Sequence, residues 1–277
     1  MRAIPSPQPI GVFDSGIGGL SILQALRAEL PHEHFIYLAD SRHAPYGERD
    51  DAHVLARSRA IAGYLVRQNI KALVVACNTA TAAAIDRLRA EHPGLPIIGV
   101  EPALKPAALL SRTGRIGVIG TRGTVTSTRF QALLTTLQGQ ARFMVQPCDG
   151  LAQAIEQGVA LPESEGATKI RALCTQYTRA MGQFGTEPGE IDTLVLGCTH
   201  YLFAAPQLRD LLGEQVQLIE TGEPVARQTR RLLAEADQLS LPGPGTTQLF
   251  TTGQPQALQA AARHWLQLAA GAELLHF

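Results

Sequence analysis

Short runs of branched apolar residues alternate along this chain with longer segments in which leucine and alanine recur at helical spacing. The first run, Ile10-Gly11-Val12-Phe13, leads through Asp14-Ser15-Gly16-Ile17-Gly18-Gly19 into a segment with Leu20, Leu23, Leu26 and Leu30 on one face. That pattern predicts a strand, a glycine-rich turn and a helix. His34 to Asp40 predicts a second strand, followed by the loop Ser41-Arg42-His43-Ala44-Pro45-Tyr46-Gly47, where proline and glycine fix the backbone and Tyr46 offers a phenolic handle. A helix of about twenty residues is predicted over the Asp50 to Asn69 region. Ala72 to Ala76 and Pro96 to Val100 predict a third and fourth strand, separated by Cys77-Asn78-Thr79 and an alanine-rich helix to Ala90. Nearly continuous apolar strands alternating with helices imply an α/β fold whose parallel sheet is covered on both faces.

The plan then repeats. Ile116 to Thr121 echoes Ile10 to Ser15, Ala141 to Val145 echoes His34 to Leu38, Thr193 to Cys198 echoes the strand before Cys77, and Val216 to Ile219 echoes the fourth strand. An internal duplication predicts two similar α/β halves with mainly parallel sheets. Related by pseudo-twofold symmetry, they turn the carboxyl ends of their strands toward one cleft, where the active site is expected. From Glu220 onward the chain reads as a helix, a short strand Gln248 to Thr252 and a closing helix with Leu258, Ala262, Trp265 and Leu266. Because this stretch extends beyond the second repeat, it is assigned to the first half. The expected domains are therefore 1–101 completed by 220–277, and 102–219, with crossings near Glu101 and Glu220.

Composition narrows the function classes. A chain of 277 residues with 45% hydrophobic and 17% charged residues suits a compact enzyme. Zero formal net charge gives no reason to expect nucleic acid or an anionic membrane as a partner. No apolar run is long enough to span a bilayer. Met1 to Pro9 is proline-rich and lacks the apolar core of a signal peptide, so the expectation is a cytoplasmic protein. Four cysteines are too few for a disulfide scaffold, and none forms a C-x-x-C pair. The glycine-rich turn has Ser21 where a dinucleotide fingerprint needs glycine, and it lacks the P-loop Gly-Lys-Ser/Thr. It is read as a set of free backbone N–H groups suited to a carboxylate.

The thiols carry the candidate chemistry. Cys77 and Cys198 both follow an apolar strand and precede a helix, where orphan N–H groups and the helix dipole lower a thiol pKa. A lone cysteine is usually packing, and Cys148 and Cys174 are read that way. Cys77 and Cys198 differ because the repeat puts them in equivalent turns with polar successors. Asp14 is expected near Cys77, and His200 lies two residues beyond Cys198. Thr79 and Thr199 are expected to cap their helices and to bond a ligand carboxylate. Cys198 and His200 have no further local ligand for a metal. Lys71, Lys105 and Lys169 sit in no context for a Schiff base with pyridoxal phosphate. Two opposed thiols beside a carboxylate-binding turn, with no cofactor motif, point to proton abstraction next to a carboxylate, one base on each face of the carbon. A cysteine–histidine acyl-transfer enzyme would need one thiol and an oxyanion hole.

Asp14-Ser15-Gly16-Ile17-Gly18-Gly19, Pro45-Tyr46-Gly47, Cys77-Asn78-Thr79-Ala80 and Gly197-Cys198-Thr199-His200 resemble, in order and spacing, the motifs of the glutamate racemases. The likeness covers nearly the whole chain, including Phe250-Thr251-Thr252-Gly253. It implies a cofactor-independent isomerase acting on L-glutamate and D-glutamate, supplying the D-enantiomer for peptidoglycan. It also implies roles: Cys77 as the base acting on D-glutamate, Cys198 as the base acting on L-glutamate, Asp14 assisting the first and His200 the second. Glu156 resembles the acidic residue that the family places near its second thiol. Asp14, Ser15, Tyr46, Gly47, Asn78, Thr79, Thr121, Thr199 and His200 would hold the substrate's ammonium and carboxylates. The chain departs from many relatives at Glu220-Thr221, where they carry Asp-Ser or a similar pair. Aspartate racemase is the alternative within this chemistry, but its second motif tends to read Cys-Thr-Glu where this chain has Cys-Thr-His. A non-catalytic amino-acid-binding or regulatory protein on the same fold is the alternative from another class, and it would need no pair of bases. The resemblance allows a homodimer, although the sequence itself reveals no interface.

Overall fold

Continuous apolar runs produce strands buried on both faces. In the computed structural model, which describes residues 8–158 and 163–277, all pairings between named strands are parallel. The proline-rich lead-in, up to residue 7, lies outside the described residues. Strands β1 (Ile10–Asp14), β2 (Phe35–Ala39), β3 (Ala72–Val75) and β4 (Ile97–Gly99) pair in the order β2-β1-β3-β4. Strands β5 (Arg115–Gly120), β6 (Arg142–Pro147), β7 (Thr193–Gly197) and β8 (Gln217–Ile219) form a separate sheet with the corresponding order β6-β5-β7-β8. The chain then returns to the first sheet, adding β9 (Thr247–Thr251) beside β2 and β10 (Ala272–Leu274) at the edge.

This shared order positions the site. In each sheet the first strand of the copy lies between the second and third. Phe13 therefore faces Val75, and Gly120 faces Gly197. Just beyond these pairs, Ser15 lies against Cys77 in one sheet, and Thr121 and Cys198 follow the paired glycines in the other. Carboxyl ends of strands are where α/β sheets present their functional groups.

β10 is the difference from the expected elements. Its three residues, Ala-Glu-Leu, form no apolar run and gain strand geometry only by pairing with β9. The second copy also holds the helices Thr128–Thr135, Leu151–Gly158 and Glu163–Met181, which account for its greater length. The helix Gly222–Glu235 packs on the helix Leu20–Glu29. Its first N–H, on Gly222, donates to the Glu220 carboxylate, so the departing pair Glu220-Thr221 supplies its own helix cap. Farther on, Trp265 in the helix Pro255–Leu266 stacks on Phe203, ring centroids 4.4 Å apart, tying the closing segment to the chain just after β7. No described helix is long and apolar enough to cross a membrane.

A buried ion pair anchors the return segment. Lys71 Nζ lies 2.5 Å from the Glu33 carboxylate, with the two side chains 4% and 2% exposed. Lys71 also donates to the Gln238 carbonyl at 2.7 Å, while the backbone N–H and hydroxyl of Ser240 both donate to Glu33 at 2.8 Å. Removing one charge leaves its partner stranded, which costs about 3–5 kcal/mol, whereas replacing both by apolar groups is often nearly neutral. Lys71→Met is therefore expected to lower the unfolding free energy in urea by about 3 kcal/mol. The double variant Lys71→Met, Glu33→Leu should recover more than half of that loss, and the two proteins compared by chemical denaturation check it.

Candidate active site

The carboxyl ends of β1 and β3 carry the first group of candidate residues. Asp14 closes β1 and is completely buried; its Oδ2 accepts N–H bonds from Gly19 at 2.8 Å and Gly16 at 3.4 Å. Cys77 caps the helix Asn78–Glu91 through its backbone, and its Sγ lies 3.9 Å from the Ser15 hydroxyl, to which it donates. Asn78 donates from Nδ2 to the Val100 carbonyl at 3.2 Å. Its Oδ1 is buried and accepts from no described residue.

Cys198 and its neighbours form the second group. The segment after β7 is a 3-10 turn, Thr199–Ala204, that runs into the helix Ala205–Leu212. His200 folds back so that Nδ1 lies 3.8 Å from Cys198 Sγ and Nε2 lies 2.9 Å from Glu156 Oε2. A carboxylate can only accept, so the proton sits on Nε2 and Nδ1 faces the thiol. The Gly18 N–H, 3.3 Å from the same Nε2, then lies beside the ring without donating to it. Glu156 is fixed further by the Ile17 N–H to Oε2 and the Ser41 hydroxyl to Oε1, both at 2.9 Å.

The two groups share one seam. A Cβ on Gly16 would sit 2.3 Å from Glu156 Oε2, and one on Gly18 would sit 2.1 Å from His200 Nδ1. Glycine at these two turn positions is thus what lets Glu156 and His200 approach. Thr79, Thr121 and Thr124 join their hydroxyls across the seam, with Thr79 to Thr121 at 2.9 Å and Thr121 to Thr124 at 2.8 Å. Gly47 packs on the Thr121 side chain. The Thr199 carbonyl accepts from Ser21 Oγ at 3.2 Å. Asp14, Ser15, Tyr46, Asn78, Thr79, Thr121, Thr199 and His200 are all buried, as are both thiols.

Four local expectations are corrected by this geometry. The N–H groups of the glycine turn are not free, because the protein's own Asp14 and Glu156 occupy them. Thr79 and Thr199 do not cap their helices through their side chains; Thr79 lies inside the first turn and reaches Thr121 instead. The Tyr46 hydroxyl is committed to Asp40 Oδ2 at 2.5 Å. Finally, burial pushes the Cys77 thiol well above the ordinary range and the Asp14 charge adds to it, so desolvation outweighs the helix terminus. Cys198 is the last of the groups that raise Cys77 further.

The remaining electrostatics separate the two groups. Burial raises the Asp14 carboxyl against the opposing pull of His200. Burial would depress the His200 imidazole, but the hydrogen bonds to Cys198 and Glu156, followed by the charges of Cys198 and Asp14, raise it well above its usual value. Cys148 and Cys174 are buried among apolar side chains, where desolvation pushes Cys174 up to about 12.

Sequence reasoning missed Asp40 as a site residue. Wholly buried at the end of β2, it accepts from Tyr46, from Arg57 through two 2.9 Å bonds, and from Thr252 at 2.8 Å, with His43 Nδ1 at 3.0 Å. Burial acts to raise this carboxyl, but those hydrogen bonds hold it below the usual carboxylate range. The only available signal was its place just before the Pro45-Tyr46-Gly47 loop.

Comparison with known proteins gives a consistent set of relatives. The sequence pattern described as Asp/Glu/Hydantoin racemase matches residues 20–229. A glutamate racemase from Stutzerimonas stutzeri is 47% identical over 250 residues, covering 90% of each chain. The crystal structure of a glutamate racemase isoform from Bacillus anthracis superposes with a TM-score of 0.85 at 31% identity over 98% of each chain. A glutamate racemase from Francisella tularensis, solved in complex with D-glutamate, gives a TM-score of 0.80 at 27% identity, again over 98% of each chain.

The His200–Glu156 pair sets a pH dependence. A histidine whose folded pKa exceeds its unfolded value of about 6.5 adds stability that is complete below that value and is lost as pH rises through the folded one. Glu156→Gln removes one cause of the elevation. The variant is expected to show a lower His200 midpoint in a 15N NMR titration and a smaller loss of stability between neutral and alkaline pH.

Proposed function

Because the chain belongs to the Asp/Glu/Hydantoin racemase family, we propose that it is a cofactor-independent glutamate racemase working by proton transfer between two cysteines. In this reading it is an isomerase of the cytoplasm that interconverts L- and D-glutamate and supplies the D-enantiomer for peptidoglycan. The proposed units are 1–101 with 220–277, and 102–219, with the substrate held in the cleft between them.

One observation carries the mechanism. Cys77 and Cys198 occupy equivalent positions at the ends of β3 and β7, each with its own proton-handling partner. On the L-glutamate side, His200 Nδ1 takes the Cys198 proton while Glu156 holds Nε2–H and steadies the resulting imidazolium. The Cys198 thiolate removes the α-hydrogen, leaving the electron pair on the α-carbon and its carboxylate. Cys77, kept protonated by burial and by Asp14, delivers its proton to the opposite face. For D-glutamate the roles reverse, with Asp14 next to the Cys77 thiol.

The binding groups follow the same logic. Asn78 Oδ1, a buried acceptor with no described donor, suits the substrate ammonium. The hydroxyls of Ser15, Thr79, Thr121 and Thr199 and the backbone of Tyr46 and Gly47 suit its carboxylates. In this arrangement the phenol of Tyr46 holds the loop through Asp40 and leaves substrate contact to the backbone. His200, in Cys-Thr-His, favours glutamate over aspartate.

Incubation with L-glutamate in deuterated water tests the reading. Wild-type protein should incorporate deuterium at the α-carbon, seen by NMR, while optical rotation falls to zero. Cys77→Ser and Cys198→Ser should each reduce racemisation below detection. Each variant should still eliminate chloride from one enantiomer of 3-chloroglutamate, because elimination needs a single base. Exchange with L-aspartate alone would move the assignment to aspartate racemase, and no exchange with either would leave an amino-acid-binding protein.

A further inference from the structure

The motif Phe250-Thr251-Thr252-Gly253 has no part in the reaction as described, yet it lies against the loop that reaches Glu156. Thr252 Oγ1 accepts the Arg42 N–H at 3.2 Å and donates to Asp40 Oδ1 at 2.8 Å, gripping the chain on both sides of Ser41. Gly253 completes the grip, since a Cβ there would come within 2.8 Å of Ser41 Cβ. Held in this way, the Ser41 hydroxyl donates to Glu156 Oε1 at 2.9 Å.

We propose that Ser41 is a positioning residue for the Cys198 half of the reaction, its hydroxyl holding the Glu156 carboxylate against His200 from across the cleft. Resting on the two-base reading above, the inference follows from how the carboxylate is shared. Oε2 receives His200 and the Ile17 N–H, and Oε1 receives Ser41. The Glu156 side chain is 17% exposed, so without Ser41 one oxygen turns to water and the carboxylate gains freedom to rotate. His200 then loses a fixed partner at Nε2, and the aim of Nδ1 at Cys198 loosens. Among the described residues the Ser41 hydroxyl donates to Glu156 and to neither Asp14 nor Cys77, so its loss bears on the Cys198 half.

Racemisation alone cannot reveal such a one-sided defect. Enantiomers have equal free energy in water, so kcat/KM must fall by the same factor in both directions. Single-base elimination separates the halves: a thiolate takes the α-proton, the C–H electron pair forms the new double bond, and chloride leaves with the C–Cl pair. Ser41→Ala is expected to lower glutamate kcat/KM about tenfold, the scale of a hydrogen bond to a charged group. Chloride release from 3-chloro-L-glutamate should fall by a similar factor, while release from the D-enantiomer stays unchanged. Ser41→Thr should restore the lost rate, and Gly253→Ala, which displaces Ser41 without touching its hydroxyl, should reproduce the one-sided loss. Equal losses on both enantiomers, or no loss in Ser41→Ala, overturn the role of Ser41 while leaving the racemase reading in place. Wild-type protein inert toward glutamate and both analogues would instead bring down the two-base reading and this inference with it.

Discussion

A carboxylate drawn into a seam between two sheets must find donors there or abandon its charge. Glu156 finds three, and they come from different parts of the chain: the Ile17 N–H, the Ser41 hydroxyl and His200 Nε2. Its helix lies between β6 and β7, whereas two of its donors leave the ends of β1 and β2. The glycines at positions 16 and 18 exist at this turn because a side chain at either would strike Glu156 or His200. The carboxylate that bonds the imidazole therefore also takes hydrogen bonds from loops of the other sheet.

Duplication supplies the matching frame, and burial makes the two halves chemically unlike. Cys77 and Cys198 each follow the third strand of a copy, which flanks the first strand of that copy. Beside Cys77 stands a buried carboxyl, and its negative charge adds to desolvation in keeping that thiol protonated. Beside Cys198 stands an imidazole that its surroundings drive toward the charged form. The two thiols thus sit in unlike surroundings, a carboxyl beside one and an imidazole beside the other. The strand order is common to the two copies, whereas the partners of their thiols differ.

How much of this was legible in the sequence depends on the range of the interaction. β1, β3, β5 and β7 declare themselves because burial on both faces demands unbroken apolar runs. β10 does not, since an edge strand of three residues is specified by its partner rather than by its own pattern. The repeated Cys-containing turns were visible because both copies carry them. Ser41 and Asp40 were not, because a polar loop residue meets its partners only once the chain is folded, here Glu156 for one and Tyr46, Arg57 and Thr252 for the other. The direction of the Cys77 shift was misjudged for a related reason: a helix terminus can be read from sequence, whereas the degree of burial that overrides it cannot. The open N–H groups of the glycine turn were likewise inferred without knowing that Glu156 would reach them.

The stacked pair Phe203 and Trp265 has a practical consequence. Trp265 is the chain's one tryptophan, and its indole lies flat against a ring carried by the segment that begins at Cys198. Any shift of the closing helix relative to that segment must alter the overlap of the rings and the polarity around the indole. The protein is thus fitted with an intrinsic optical gauge, whose ultraviolet emission reports on the packing of these surfaces without an attached dye.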